Sequence, residues 1–315
     1  MRHIFIVNPR SGHQDATPMI KKALDELSPA EPYEIYVTSA PGDATEYVRA
    51  RCQADTSPLR FYACGGDGTL NEVINGAAGF DHAAVGCYPC GSGNDFIKYF
   101  GGRRYFTDLG ALMRGQDQRV DMIRVNDRYA INVVNMGFEA KTAARMIRFR
   151  HLPLMHGYRA YYGAIVLTLI DGVRHRCKIA VDGETMMDGN ILLCTLANGD
   201  YVGGSFRCAP RADVADGQIE VCIVTPISRF RFARLIGYYQ RGEHLDNPLL
   251  RDCIHYCRGR KVVIDADPGF LMCLDGEITS GSHFEIKNVP SALRFIVPEG
   301  AAHHADGVNM AGEAV

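Results

Sequence analysis

The stretch "ACGGDGTLNEVING", residues 63–76, places three glycines and an aspartate in four consecutive positions and then continues into helix-forming sequence. It follows the apolar run "RFYAC" at 60–64, which is typical of a buried strand. A glycine loop that leads from a strand into a helix presents unpaired backbone N–H groups and the positive end of the helix dipole at one point. The stretch therefore predicts an anion site, and phosphate is the obvious ligand.

The first 120 residues alternate between short apolar runs and helical patterns. Strands are predicted at 3–7, 33–37, 60–64 and 83–88, and helices at about 15–28, 43–54, 69–78, 93–100 and 105–115. This alternation favours a parallel sheet covered by helices on both faces.

After about residue 121 the pattern changes to strands separated by Asp-Gly turns, with a hairpin predicted at Asn126-Asp127. Helices are predicted near 139–149, 157–170 and 228–240. The fold class is therefore predicted as α/β plus all-β, with an α/β domain followed by an antiparallel β domain.

Composition narrows the class of protein. A net charge of −2 gives no support for a nucleic-acid partner, so we expect none. The eleven cysteines are scattered, and the start "MRHIFIV" has too short an apolar run for a signal peptide, so we expect a reduced, cytoplasmic protein. The longest apolar-rich run, 161–170, is too short to cross a bilayer as a helix, which needs about 20 residues.

Two further loops follow predicted strands, "NPRSG" at 8–12 and "PCGSGND" at 89–95. Ligands of open α/β sheets gather at the carboxyl ends of strands, so the three loops are expected to meet. The patterns Thr69-x-x-Glu72 and Ser92-x-x-Asp95 look like helix-capping signatures. An aspartate in a phosphate cradle would repel the anion unless a cation lies between them, so Asp67 implies Mg²⁺. A single glycine-rich turn could instead be purely structural.

Together the three loops resemble the diacylglycerol kinase catalytic-domain family, which includes sphingosine kinases and bacterial soluble lipid kinases. "GGDGTLNEVING" matches the family's nucleotide loop and "NPRSG" its NPxSG pattern. "PCGSGNDF" matches PxGTxNDF, with Ser92 in place of threonine. The resemblance continues to "LDGE" and covers essentially residues 2–298.

The resemblance implies two domains and a tail. The first is a phosphofructokinase/NAD-kinase-like ATP-binding domain, 1–124 plus 291–299, and the second is a β-sandwich lipid-substrate domain, 125–290. Residues 300–315, rich in Ala and Gly, are expected to be a disordered tail.

The resemblance also assigns roles to residues. Nucleotide contacts fall on Asn8, Ser11, Gly12, Gly65, Gly66, Gly68, Thr69, Glu72, Ser92, Gly93 and Asn94. The acids Asp67, Asp95 and Asp121 would organise catalytic Mg²⁺, partly through water. Asp275 would act as general base with support from Glu277. From the residues alone, Asp95 could be a helix cap, Asp121 a strand-end residue, and Asp275 a hairpin turn.

Some bacterial members carry a structural Mg²⁺ at the loop that matches "DVADGQ" here. Asp216 would supply its carboxylate, with backbone carbonyls around Asp213 and Gln218. The alternative is a plain Asp-Gly turn between strands.

Residues 141–170 contain no acidic residue, and basic and apolar side chains alternate along them. Such a surface suits peripheral contact with anionic lipid, here expected through 141–160, and the alternative is a connecting helix with a solvated basic face. A homodimer is possible by analogy with bacterial relatives.

The sequence thus predicts a cytoplasmic, peripherally membrane-associated lipid kinase dependent on ATP and Mg²⁺. It would phosphorylate the free hydroxyl of diacylglycerol, giving phosphatidic acid, or of a related lipid. The alternatives are an NAD kinase-type enzyme for a soluble substrate and a catalytically inactive nucleotide-binding regulator.

Overall fold

A computed structural model describes residues 1–12, 14–149, 163–165, 167–168 and 174–301. The chain forms two compact units. The first unit comprises Met1–Arg119 and the chain from Leu293, and the second comprises Val120–Ala292. The tail predicted at 300–315 lies outside the described residues from 302 onward, as does most of the helix predicted at 157–170.

The first unit is built on a parallel sheet. Its elements are β1 (Arg2–Val7), α1 (Thr17–Leu27), β2 (Tyr33–Val37), α2 (Asp43–Ala54), β3 (Leu59–Gly65), α3 (Asp67–Ala77) and β4 (Ala83–Pro89). The strands lie in the order β2-β1-β3-β4, and each neighbouring pair is parallel. Every residue of β3 and β4 is buried, as expected for central strands covered on both faces. The predicted α/β class is confirmed for this unit.

Two helix predictions in this unit are wrong. The segment predicted as a helix at 93–100 is a loop followed by a short 3₁₀-helix, Phe96–Phe100, because Asn94 has a left-handed backbone with φ of 50°. The helix predicted at 105–115 is divided into α4 (Arg103–Phe106) and α5 (Leu109–Met113). Asp108 between them has an extended backbone, and its side chain caps α5.

The second unit is mainly antiparallel. Its elements are β5 (Gln116–Val125, which begins in the first unit), β6 (Arg128–Ala130), β7 (Val133–Gly137), α6 (Phe138–Phe149), β8 (His175–Val181), β9 (Glu184–Ile191), β10 (Leu193–Ala197), β11 (Ile219–Val224), α7 (Arg229–Gln240), β12 (Ile254–Gly259), β13 (Lys261–Leu274) and β14 (Glu277–Val297). The order is β12-β11-β10-β7-β13-β14, with β8 and β9 attached through β13. The predicted hairpin is confirmed, because Val125 pairs with Arg128 across Asn126-Asp127.

The two larger groups of buried side chains in the second unit lie on opposite faces of its sheet. Alternate residues of one strand enter different groups: in β11, Val221 belongs to one and Cys222 to the other. Successive side chains of a strand point to opposite faces, so this sheet carries apolar packing on both sides. The predicted all-β class is confirmed for this unit.

The last strand contributes to the first unit's sheet at its carboxyl end. Arg294 and Phe295 of β14 pair in parallel with β4. The Phe295 ring packs edge-on against Phe96 at 5.0 Å between ring centroids and stacks on Phe100 at 5.5 Å. This aromatic cluster buries the segment that follows the third predicted loop.

Candidate active site

Three loops meet at one edge of the first unit's sheet. Asn8, after β1, donates a hydrogen bond through Nδ2 to Thr69 Oγ1 at 3.1 Å. The N–H groups of Cys90 and Gly91, after β4, donate to the carbonyl oxygen of Gly65 at 2.9 and 3.1 Å. The loops converge because β1, β3 and β4 are parallel neighbours whose carboxyl ends share one edge.

The start of α3 lacks a side-chain cap. Gly66 is the N-cap residue, with an extended backbone, and no side chain accepts a hydrogen bond there within the described part of the chain. The predicted capping signature Thr69-x-x-Glu72 is therefore wrong, since Thr69 already lies inside the first helical turn. The first N–H groups of a helix have no intrahelical partner, so this turn can receive an anion.

Glu72 caps a different helix. Its carboxylate accepts hydrogen bonds from the N–H groups of Gly42 at 2.9 Å and Ala44 at 3.2 Å, at the start of α2. Thr45 of α2 donates its hydroxyl to the Glu72 carbonyl oxygen at 2.9 Å. Both carboxylate oxygens of Glu72 therefore bind the start of α2, and no described contact joins this carboxylate to the glycine loop.

Glycine is required where the loops touch. A β-carbon on Gly93 would lie 2.3 Å from Asp67 Oδ2, and one on Gly91 would lie 2.4 Å from the α-carbon of Gly66. Gly12, with φ of +81°, would place a β-carbon 2.3 Å from the Cys90 carbonyl oxygen. The three loops are thus in backbone-to-backbone contact, which any larger residue would push apart.

The carboxylate of Asp67 joins the second loop to the third. Oδ1 accepts the N–H of Asp95 at 2.7 Å, and Oδ2 accepts the N–H of Asn94 at 2.8 Å. Burial, and then the nearby Asp95 carboxylate, raise the pKa of Asp67 to about 7. Asp67 is therefore positioned by its neighbours but carries its negative charge at an energetic cost.

The third loop is shaped by Asn94 and Asp95. Asn94 Nδ2 donates to the Gly65 carbonyl oxygen at 2.9 Å, while its buried Oδ1 has no partner among the described residues. The pattern Ser92-x-x-Asp95 is not a helix cap, because the 3₁₀-helix begins only at Phe96. Asp95 therefore precedes this helix and does not lie in its first turn, and Ser92 is exposed. The Ser11 hydroxyl oxygen lies 3.7 Å from the position of a β-carbon on Gly66, so the first loop also faces the glycines.

Lys98 is a charged residue that the sequence reasoning missed. Its Nζ lies 2.5 Å from Oδ1 of the buried Asp95. The i,i+3 spacing of Asp95 and Lys98 on a helical segment was a signal that could have identified this pair. The loop edge therefore holds two carboxylates and one ammonium group.

Asp121 lies in the second unit and is fully enclosed there. Its Oδ1 accepts the N–H of Ser291, and its Oδ2 accepts the N–H of Gly217, both at 2.7 Å. The Asp121 N–H donates to the Val214 carbonyl oxygen, also at 2.7 Å. The carboxylate ties the 213–218 loop to β14.

The acids of the 213–218 loop close local turns. Asp213 accepts the N–H of Ala215 at 3.0 Å, and Asp216 accepts the N–H of Gln218 at 2.9 Å. Arg258 Nη1 lies 3.7 Å from Asp216. Across the described ranges, no three His, Cys, Asp or Glu side chains are grouped to hold a metal, so the structural Mg²⁺ site stays a prediction.

Asp275 forms the hairpin turn between β13 and β14, with φ of 46°. Its buried carboxylate accepts three backbone N–H groups, from Ile131 at 2.8 Å, Asn132 at 3.1 Å and Val133 at 2.9 Å. The carboxylate therefore holds the entry to β7. Glu277, two residues later, is exposed at the start of β14.

Glu139 is a buried carboxyl group of the second unit with a raised pKa. Glu139, in the first turn of α6, accepts hydrogen bonds from Tyr239 at 3.3 Å and Thr195 at 3.4 Å. Burial raises the pKa of Glu139 to about 7. Nothing in the local sequence pattern indicated this residue, because both partners are distant in the chain.

Of the segment predicted to contact membranes, 141–160, residues 150–160 lie outside the described residues. Arg145 donates through Nη1 to the Thr168 hydroxyl at 3.0 Å. Within the part of the chain that the structure describes, no helix combines the length and the apolar character needed to span a bilayer.

Known proteins resemble this chain over most of its length. Residues 2–125 match the diacylglycerol kinase catalytic domain, and residues 132–297 match the YegS C-terminal NAD kinase beta sandwich-like domain. A protein of Staphylococcus aureus strain Mu3 named "Putative lipid kinase" is 25% identical over 299 residues, which is 93% of this chain and 94% of that protein. A protein of strain MSSA476 with the same description matches to the same extent.

Solved structures share the fold. A structure titled as a putative diacylglycerol kinase from Bacillus anthracis str. Sterne has a TM-score of 0.74 and 20% sequence identity, and the match covers 96% of this chain and 98% of that one. A structure titled as a diacylglycerol kinase from the same strain has a TM-score of 0.70, 19% identity and the same coverage. The two domain matches confirm the predicted family: the chain belongs to the diacylglycerol kinase catalytic-domain family of kinases, with the β-sandwich-like second domain.

Proposed function

We propose that this protein is an ATP- and Mg²⁺-dependent lipid kinase that transfers the γ-phosphoryl group of ATP to the free hydroxyl of diacylglycerol or a related lipid. The observation that carries the proposal is the glycine-lined loop edge at the uncapped start of α3. Family membership supports a kinase activity, and the names of the relatives support a lipid as the acceptor.

The phosphates of ATP would lie against the first turn of α3. The backbone N–H groups of Asp67, Gly68 and Thr69 are the donors there, and the helix dipole favours the negative charge. The absence of a β-carbon at Gly93 lets the third loop approach the Asp67 carboxylate at the start of this turn. Phosphoryl transfer depends mainly on such positioning and on charge neutralisation.

The acids beside the glycines fit a magnesium ion held jointly with phosphates. Mg²⁺ usually takes one or two protein carboxylates, with substrate phosphates and water as its other ligands. A β-carbon on Gly93 would lie 2.3 Å from an Asp67 carboxylate oxygen and 3.6 Å from one of Asp95, so the two carboxylates adjoin. When bound, Mg²⁺ would neutralise phosphate charge. Asp121 remains our third candidate, and its two oxygens, like those of Asp67, each accept a backbone N–H group.

Asp275 remains the candidate general base, with Glu277 in support. The three N–H groups that Asp275 accepts fix its carboxylate in one orientation. They also occupy most of its acceptor positions, because a carboxylate has about four lone-pair sites. As a general base, Asp275 would therefore also have the structural role of holding these N–H groups.

The test is turnover of radiolabelled ATP with a panel of lipids in mixed micelles, comparing wild type with Asp67→Asn. Asp55→Asn is a matched control, because Asp55 is a surface carboxylate that also accepts a backbone N–H. We expect wild type and Asp55→Asn to form a labelled lipid product, and Asp67→Asn to form none. A labelled soluble product would indicate an NAD kinase-type enzyme. ATP binding without any product would indicate a nucleotide-binding regulator.

We further propose that the enzyme works from the cytoplasm as a peripheral protein, with residues 141–160 contacting anionic lipid. The support is a segment rich in basic and apolar residues and free of acidic ones. Replacing Arg145, Arg148 and Arg150 with glutamate should abolish sedimentation with anionic vesicles. Unchanged sedimentation would remove 141–160 as the contact.

A further inference from the structure

The second unit contains an open pocket of about 280 Å³ that the nucleotide, metal and general-base roles above do not use. Its lining residues are Gly137, Lys141, Arg174, His175, Arg176, Asp267, Pro268, Gly269, Phe270 and Leu271. The pairing of β13 with β14 changes register between Asp265 and Phe270. The loop at 267–269 therefore leaves the ladder, and the interruption makes room for the pocket beside α6 and the start of β8.

Lys141 brings a cation to this pocket from the second turn of α6. The residue is half-buried, and it has no hydrogen bond or ion pair to any described residue. Burial, and then the charge of Arg145, lower the pKa of Lys141. A partly buried ammonium group without a counter-ion is costly, so the pocket is suited to an anion that would supply one.

His175 adds a hydrogen-bond donor. Its Nε2 is buried and has no partner among the described residues, and its ring packs edge-on against Phe270 at 6.4 Å between centroids. Burial, and then the charge of Lys141, lower the pKa of His175 to about 4. The imidazole is therefore neutral near pH 7, and one of its two nitrogens carries a proton that it can donate to an anion.

The charge of the lining is strongly unequal. Lys141, Arg174 and Arg176 are cationic, and Asp267 is the single carboxylate among the lining residues. Arg176 is partly committed, since its Nη2 lies 3.3 Å from Asp188, whereas Arg174 has no ion pair with a described residue. Phe270 and Leu271 supply apolar surface directly beside these charges. Cationic donors next to apolar side chains match a phosphate group attached to an acyl glycerol.

We propose that this pocket binds the phosphate of a glycerophospholipid headgroup. Its lipid part rests on the proposed lipid kinase function, but anion binding here does not require turnover. Free phosphate shares the same chemistry, so both sources have to be tested. Lys141 and Arg174 would pair with the phosphate, and His175 would donate a hydrogen bond to it.

The experiment is calorimetric titration of the full chain, without nucleotide, with three probes: dihexanoyl phosphatidylglycerol, dihexanoylglycerol and inorganic phosphate. We expect phosphatidylglycerol to bind more tightly than inorganic phosphate, and any binding of dihexanoylglycerol to be unchanged in the pocket variants, because that probe carries no phosphate. Lys141→Gln and Arg174→Gln should each weaken binding of phosphatidylglycerol about tenfold, which is about 1.4 kcal/mol, because each removes a charged partner of the phosphate. His175→Phe should weaken it about threefold, the loss of a neutral donor.

Lys178→Gln is the matched control, because Lys178 is exposed on the same strand, β8, and does not line the pocket. Lys141→Arg should restore binding, which separates loss of charge from loss of folding. Unchanged phosphatidylglycerol binding in the Lys141→Gln and Arg174→Gln variants would overturn the proposal. Inorganic phosphate binding as tightly as the lipid would overturn its lipid part. A chain that binds phosphatidylglycerol as expected but transfers no phosphate would contradict the kinase proposal and leave this site standing.

Discussion

Asp67 and Asp275 are both followed by glycine, and both use their carboxylates to hold the backbone of a distant loop. Asp67 accepts two N–H groups at the start of an uncapped helix, beside Asp95. Asp275 accepts three N–H groups at a hairpin turn, with its own backbone left-handed. The same Asp-Gly dipeptide therefore begins a helix at residue 67 and forms a hairpin turn at residue 275.

The difference lies in what happens to the surrounding N–H groups. At Asp67 the first turn of α3 has no side-chain cap, so its donors are left for a ligand. At Asp275 the donors of residues 131–133 are consumed by the carboxylate itself. We therefore expect substitutions at the first site to affect mainly turnover, and substitutions at the second to affect folding as well as turnover.

The largest effect is expected for Asp67→Asn. Loss of the carboxylate should lower kcat/KM for ATP about 10³-fold, because a charged group acting at the transferred phosphate is lost. The free energy of unfolding should fall by only about 1 kcal/mol, since the amide oxygen still accepts one N–H. Steady-state kinetics and urea unfolding measure the two quantities. An equal loss in the surface variant Asp55→Asn would contradict this expectation.

Next is Asp275→Asn, which places an amide group against backbone donors. The free energy of unfolding should fall by about 3 kcal/mol, the cost of leaving buried N–H groups unpaired. Urea unfolding measures it, with Asp127→Asn in the exposed β5–β6 turn as control. Full stability together with lost turnover would instead assign Asp275 the general-base role alone.

Gly93→Ala should have an intermediate effect on binding. The new methyl group would lie 2.3 Å from Asp67 Oδ2, so the second and third loops would have to separate. We expect KM for ATP to rise about tenfold, roughly 1.4 kcal/mol of binding free energy. Gly189→Ala is the control, because a β-carbon there meets nothing within 4 Å. A normal KM in Gly93→Ala would show that this contact does not shape the site.

Glu72→Ala tests the cap that Glu72 provides for α2. Losing two backbone hydrogen bonds at a helix start should cost about 1 kcal/mol of stability with kcat/KM unchanged. Thermal unfolding and kinetics measure both, and Glu26→Ala on the exposed face of α1 is the control. A large loss of ATP affinity at normal stability would restore Glu72 to the nucleotide contacts that the sequence predicted.

The last comparison concerns pH. Burial raises the pKa of two carboxyl groups to about 7, Asp67 in the first unit and Glu139 in the second. A raised pKa in the folded state means that stability is greatest below the unfolded value and declines as pH rises toward 7. Without ligands, the melting temperature should fall between pH 5 and 7. Asp67→Asn and Glu139→Gln should each flatten part of this slope, and unchanged slopes would contradict these pKa shifts.

The sequence by itself determined the two fold classes, the family and the meeting of three loops. Local sequence patterns are enough to predict these features, because apolar runs indicate buried strands and the carboxyl ends of parallel strands share one edge of the sheet. The sequence alone places the glycines at 65, 66 and 93 at that edge, because loops whose backbones approach closely require glycine.

Only the tertiary structure decided what the acids hold. The hydrogen bonds of Asp121 reach partners 96 and 170 residues away, and that of Asp275 to Ile131 spans 144 residues. Glu72 similarly caps a helix that begins 30 residues earlier. A carboxylate accepts any donor that folding brings within reach, and local patterns contain no information about such distant donors. The motifs located the loops, and packing assigned the acids their partners.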